Sequence, residues 1–217
     1  MLKLVIGDKQ LSSWSMRPWM LLRHFGLPFE EIRLPLDTPR FRDEIGRYSP
    51  SRRVPALLDG HLTVWDSLAI CEYLNERVDG AAWPSDSAAR AVARAVSAEM
   101  HSGFATLRSA WSLRAADRGL DVPLDEVGRA DLARIDAIWS DCLARSRATG
   151  PWLFGRHYCI ADAMYAPVVL RFNTYGATLS PPARAYFEHA MADAHVLEWI
   201  EGARREIAEE GRPAAHP

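Results

Sequence analysis

The spacing of apolar residues changes character once along this 217-residue chain, at residues 79–86, Asp-Gly-Ala-Ala-Trp-Pro-Ser-Asp. Before that turn-rich stretch, short strand-like runs alternate with helix-like ones. After it, apolar residues recur every three or four positions. Such a chain folds as an α/β layer joined to an all-α body. The sequence divides accordingly into residues 1–78, a linker at 79–86 and a helical part over 87–217. No internal repeat or low-complexity tract interrupts it.

In the first part, Leu2–Ile6 reads as a strand and Ser15–Phe25 as a helix stopped by Gly26-Leu27-Pro28. Phe29–Leu34 is a second strand, and Thr38–Gly46 a short helix with Pro39 in its first turn. Val54–Leu58 and Leu62–Val64 flank Asp59-Gly60, a hairpin signal, before a third helix at Asp66–Arg77. The order βαβαββα fits a thioredoxin-like domain. In the second part, Ser87–Leu113 carries Val92, Val96, Met100, Phe104, Leu107 and Trp111 at helical spacing. Leu124–Arg147, Ile160–Tyr175, Pro182–Met191 and Val196–Glu210 are further helices; Pro167 predicts a kink in the second of these, and the tail Gly211–Pro217 is expected to fray.

A net charge of −2 supplies no basic field for nucleic acid or an anionic membrane surface. No apolar run approaches the roughly 20 residues that span a bilayer. The N-terminal apolar stretch is too short for a signal peptide. Cys71, Cys142 and Cys159 lack CxxC spacing and read as buried thiols, which points to the reducing cytoplasm. The seven histidines form no HxxxH or HExxH pair, so no metal is expected.

Ser12-Ser13-Trp14-Ser15-Met16-Arg17 places three hydroxyls where a helix begins. Backbone N–H groups and the positive end of the helix dipole suit an anion there, in particular a thiolate. The same serines can equally serve as ordinary helix caps, a role that suits Ser15 best.

That stretch resembles the SSCSxR sequence of zeta-class glutathione transferases, with Ser13 also matching the serine of theta- and delta-like classes. Three further pieces resemble the cytosolic glutathione transferase family in order. Ser49-Pro50-Ser51-Arg52-Arg53-Val54-Pro55-Ala56-Leu57 is similar to its NPxxxVPxL segment, and Val64-Trp65-Asp66-Ser67-Leu68-Ala69-Ile70 to its E-S-x-A-I stretch. Leu153-Phe154-Gly155 followed by Cys159-Ile160-Ala161-Asp162 is similar to its FLxG…[ST]xAD signature, with Cys159 in place of the usual capping hydroxyl.

The resemblance implies an N-terminal thioredoxin-like domain followed by a C-terminal helical bundle, a twofold homodimer, and glutathione as co-substrate. It implies a thiol activated as thiolate by Ser12 or Ser13, for attack on a small electrophile in detoxification. Ser12, Ser13, Trp14, Arg40, Arg53, Val54, Pro55, Asp66 and Ser67 would bind glutathione, with a cis bond at Val54-Pro55 and the two arginines at its glycine carboxylate. Trp14, His101, Phe104 and Arg108 would line the co-substrate pocket, Arg108 if that substrate is acidic. Trp14 stands where zeta enzymes carry cysteine, which weighs against maleylacetoacetate-type isomerisation without excluding it. A binding protein that keeps the fold for glutathione or apolar ligands is the alternative outside catalysis.

Overall fold

The computed structural model describes residues 1–145 and 150–210. The last two residues expected in the helix ending at Arg147, and the tail Gly211–Pro217, lie outside the described residues. Strand β1 (Leu2–Ile6) pairs in parallel with β2 (Phe29–Arg33) and antiparallel with β3 (Ala56–Asp59). β4 (Leu62–Trp65) closes the hairpin, giving the order β2-β1-β3-β4. Gly60 sits at φ +60°, the left-handed conformation that this tight turn requires.

Alternation along the strands sends side chains to two cores. Leu4, Ile6 and Leu57 face a large apolar core, while Val5, Leu34, Ile45 and Ala56 form a small one on the other face, beside α2 (Pro39–Glu44). Helices α1 (Ser13–His24) and α3 (Ser67–Glu76) cover the large face. The core does not stop at the linker. α1 also packs against α7 (Ile160–Tyr175) and α9 (Ala194–Glu210), so Met16 and Met20 share one apolar cluster with Trp139, Tyr165 and Trp199. α7 is buried from Ile160 to Phe172 and runs helically through Pro167.

One expectation is overturned. Ser87–Leu113 is two helices, α4 (Ser87–Ser102) and α5 (Ala105–Ala110). The Gly103 N–H bonds the Glu99 carbonyl at 2.8 Å, and the chain then turns through Phe104 in the left-handed region at φ 58°. A side chain on Gly103 would meet that carbonyl at 2.7 Å. Apolar spacing continues across the break, so periodicity alone hid it. α6 (Glu126–Arg145) and α8 (Pro181–Met191) complete the helical body.

At the start of α7, Cys159 and Asp162 form a capping box in which the Cys159 sulfur faces the Asp162 N–H. Asp162 supplies the oxygens of that box, accepting from the Cys159 N–H at 3.0 Å, its thiol at 3.2 Å and the Leu153 N–H at 3.0 Å. Burial pushes this carboxyl up from its ordinary range.

Candidate active site

α1 begins two residues earlier than its apolar spacing indicates, with Ser12 at the N-cap position and no side-chain cap bond. Ser15 is not the cap. Its hydroxyl accepts from the Gly7 N–H at 3.2 Å and lies 2.7 Å from the Ser12 hydroxyl. The loop leading into Ser12 is held from outside. Glu206 accepts from the Lys9 N–H at 2.7 Å, and the Trp199 indole N–H donates to the Lys9 carbonyl at 2.8 Å. Gln10 accepts from the Ala116 N–H at 2.8 Å and donates to Asp117 at 3.1 Å.

A cleft of about 450 Å³ opens beside this helix start, lined by Trp14, Ser51, Arg53, Val54, Pro55, Trp65, Asp66, Ser67 and His101. The Val54-Pro55 peptide is cis. Asp66 caps α3 through one oxygen, which accepts from the Leu68 and Ala69 N–H groups at 2.9 and 3.1 Å. Its other oxygen lies 3.0 Å from His101 Nε2. Asp66 holds φ at 77°, a conformation that side-chain-bearing residues adopt rarely and mostly at functional positions. The Ser67 hydroxyl is buried with no hydrogen-bond partner among the described residues. A buried O–H left unpaired costs about 1–3 kcal/mol, so it favours an incoming acceptor.

A second cavity of about 420 Å³ is lined by Leu11, Ser12, Ser13, Trp14, Leu36, Phe41, Arg52, Arg53, Val54, Arg108, Ser112, Leu113 and Arg171. The two spaces share Trp14, Arg53 and Val54. Trp14 is the hub: the Arg17 guanidinium lies 4.0 Å from its ring centroid, that of Arg108 5.1 Å, and the His101 ring meets it edge-on at 5.3 Å. Arg17 is fully buried; it donates to the Met164 and Ser13 carbonyls and leaves one nitrogen unpaired among the described residues. Arg171 is buried too, donating to the Trp111 carbonyl at 2.7 Å with another nitrogen unpaired. Burial, and then the repulsion of Arg108, lowers Arg171 to about 10, and burial followed by Arg171 and Arg108 lowers Arg17. Arg171 thus stays charged near neutrality, and the cavity wall favours a negative guest.

Residues 11–77 match the glutathione S-transferase N-terminal domain family. The chain is 29% identical over 182 residues to a maleylacetoacetate isomerase of Rattus norvegicus, covering 82% of each protein. Over residues 11–77 by sequence, and over nearly its whole length by fold, the chain is similar to glutathione S-transferases. A dichloromethane dehalogenase of Methylorubrum extorquens is 45% identical over 60 residues, a match spanning 25% of this chain and 20% of the dehalogenase. A glutathione transferase homologue from Burkholderia, solved with bound glutathione, superposes with a TM-score of 0.70 at 25% identity, covering 94% of this chain and 98% of that one. A zeta-class maleylpyruvate isomerase shares the fold, with a TM-score of 0.71 at 21% identity over 93% of this chain and 97% of its own.

Within this transferase fold, most residues singled out from sequence converge. Arg53, Val54, Pro55, Asp66 and Ser67 meet in the first cleft, Ser12, Ser13 and Arg108 line the second cavity, and Trp14 borders both. His101 faces the first cleft with Asp66 and is absent from the walls of the cavity that holds Arg108. Phe104 is buried at the break between α4 and α5 and lines neither space. Arg40 points to Glu44, 3.0 Å away, and also lines neither. Sequence reasoning passed over Arg17. The available signal was an arginine inside an apolar helix face, since arginine is seldom fully buried without a specific partner. A further cavity, about 690 Å³ beside the linker, lies elsewhere; its Arg90 is already bonded to the Pro84 and Ser85 carbonyls. Among the described residues, no group of three or more His, Cys, Asp and Glu is placed to hold a metal ion.

Proposed function

We propose that this protein is a glutathione transferase that binds glutathione in the first cleft and directs its sulfur towards a small electrophile in the second cavity. The observation that carries the reading is the junction of the two spaces at Trp14, Arg53 and Val54, with the Ser12 hydroxyl on its border. Asp66 meets the γ-glutamyl ammonium, and the Ser67 hydroxyl and N–H donate to the adjoining carboxylate. The Val54 backbone pairs with the cysteinyl residue as if it were an added strand. Arg53 reaches the glycine carboxylate. Arg40, spent on Glu44, contributes only if that pair opens.

Glutathione supplies the nucleophile. A free thiol near a pKa of about 8.5 is only a few per cent ionised at pH 7. A hydrogen bond to a charged acceptor contributes about 1.5–3 kcal/mol, which is one to two pKa units at about 1.4 kcal/mol each. The N-terminus of α1 acts in the same direction. Ser12 is the better donor because its hydroxyl is engaged with Ser15 in a defined geometry, whereas no hydrogen bond among the described residues orients that of Ser13. No general base is required.

The cationic cavity wall supports a further reading, an acidic electrophile held by Arg108 and Arg171. Such a substrate suits zeta-like isomerisation, in which sulfur adds to a carbon–carbon double bond, the resulting single bond rotates, and sulfur leaves again. The overall likeness to maleylacetoacetate isomerase supports it, and Trp14 in place of cysteine weighs against it. A twofold homodimer in a reducing cytoplasm, where Cys71, Cys142 and Cys159 remain buried thiols, belongs to the same proposal.

Ultraviolet titration of the bound thiolate tests the first reading. The wild type should titrate at least one unit below free glutathione, and Ser12→Ala should remove that difference. Glutathione that binds with an unshifted thiol would leave a binding protein instead. Rates for matched acidic and neutral electrophiles, with and without Arg108, decide the second reading.

A further inference from the structure

Three buried groups behind the proposed thiolate site form a chain. The Gly7 N–H donates to the Ser15 hydroxyl oxygen at 3.2 Å, and that oxygen lies 2.7 Å from the Ser12 hydroxyl oxygen. An amide N–H can only donate, so the first link has a fixed direction. Ser15 is fully buried, and Ser12 Oγ is its one side-chain acceptor among the described residues. An unmade bond there would cost the desolvation of a hydroxyl. The Ser15 hydrogen therefore points to Ser12. Ser12, receiving that hydrogen bond, must turn its own hydrogen outward, to the cavity it lines.

We infer that Ser15 is a positioning residue that aims and polarises the Ser12 hydroxyl at the glutathione sulfur. The backbone of Gly7, just past the end of β1, fixes the direction of the relay. Gly7 itself is confined, because a Cβ there would approach Leu36 to 2.8 Å. Chained hydrogen bonds strengthen one another by about a tenth to a third per link, and a donor held in one rotamer loses less freedom when the anion arrives. The inference rests on the reading of Ser12 as thiolate donor and makes a separate demand upon it.

The test is the thiol pKa of enzyme-bound glutathione, read from thiolate absorbance in wild type and in Ser12→Ala, Ser13→Ala, Ser15→Ala and Ser15→Cys proteins. S-methylglutathione, which has no thiol, measures binding separately by calorimetry. Ser15→Ala should raise the bound-thiol pKa by about half a unit, an approximately threefold loss of thiolate below the pKa, while affinity for S-methylglutathione stays within twofold. Ser15→Cys keeps bulk and a weak donor and should shift it less. Ser13→Ala should shift it less than Ser12→Ala does, and a larger shift would make Ser13 the donor and overturn the relay. Should Ser15→Ala not fold, a rise in Ser15→Cys supports the relay and no rise overturns it. A Ser12→Ala protein with raised thiol pKa beside an unshifted Ser15→Ala protein overturns the relay alone. An unshifted thiol in the wild type overturns the donor reading and the relay with it.

Discussion

Helices α1 and α3 both start at the first cleft behind a residue type that favours helix caps, and they use it in opposite ways. Asp66 spends one oxygen on the first N–H groups of its own helix and offers the other to His101. Ser12 occupies the equivalent position of α1 and caps nothing; its hydroxyl is committed to Ser15. The start of α3 is therefore secured locally. The start of α1 is secured from a distance, by Glu206, Trp199 and Gln10 on the loop before it. A cap that does not cap leaves its hydroxyl to other work, at the expense of scaffolding drawn from the far end of the chain.

The largest expected effect tests that contrast directly. Ser12→Ala should lower the rate at pH 6.5 by about 10- to 100-fold through the lost thiolate; it removes no cap, so its cost in stability is only that of leaving the Ser15 hydroxyl unpaired, about 1–3 kcal/mol. Kinetics against pH and thermal melts on one sample check both halves. Asp66→Ala should remove a cap, lowering stability by about 1–2 kcal/mol as well as weakening glutathione binding. Asp66→Asn keeps a capping oxygen and should separate the two, holding the melting temperature while KM for glutathione rises severalfold. A stable Asp66→Ala protein would end the contrast between the two helix starts.

How much of this was legible beforehand follows from which interactions are local. The hairpin at Asp59-Gly60, the cis bond before Pro55 and the cap at Asp66 all arise within a few residues, and sequence reasoning placed them. The Ser12–Arg17 stretch marked the site for the same reason. The break at Gly103 was masked because Phe104, Leu107 and Trp111 continue the apolar spacing beyond it and are buried all the same. Ser15 looked like a cap because a serine's partner cannot be read from its position. Its partner is Gly7, just past the end of the strand before the loop. Arg171 and Arg108 line one cavity from helices more than sixty residues apart, a proximity that no period encodes.

A smaller effect sharpens the role of Trp14. Replacing it with leucine removes the ring beneath Arg108 and Arg17, a contact of about 0.5–2 kcal/mol. KM for an acidic electrophile should rise about two- to tenfold, and that for a neutral one should stay level. Equal changes for both would mean that the ring merely fills space.

The smallest effect concerns the remote anchor. Burial raises the Glu206 carboxyl above its usual value, against the opposing pull of the Lys9 N–H, Arg33 and Lys9. The folded protein therefore holds that proton more tightly than the unfolded chain. Its contribution to stability is fully present below the unfolded value near 4.5 and is lost as pH rises through the higher folded one. Glu206→Gln should flatten that limb of the melting temperature against pH. An unaltered slope would show that Glu206 titrates alike in both states.

The apolar cluster that runs unbroken from Met16 and Met20 to Tyr165 and Trp199 limits how this molecule can be recombined. A chimera joined at the linker would graft one surface of α1 onto a stranger's α7 and α9, and mismatched shapes there would sit directly behind the serines. Shuffling the two parts therefore perturbs reactivity even when every cleft residue is retained. Libraries that vary the electrophile pocket should keep α1, α7 and α9 together as one inherited block.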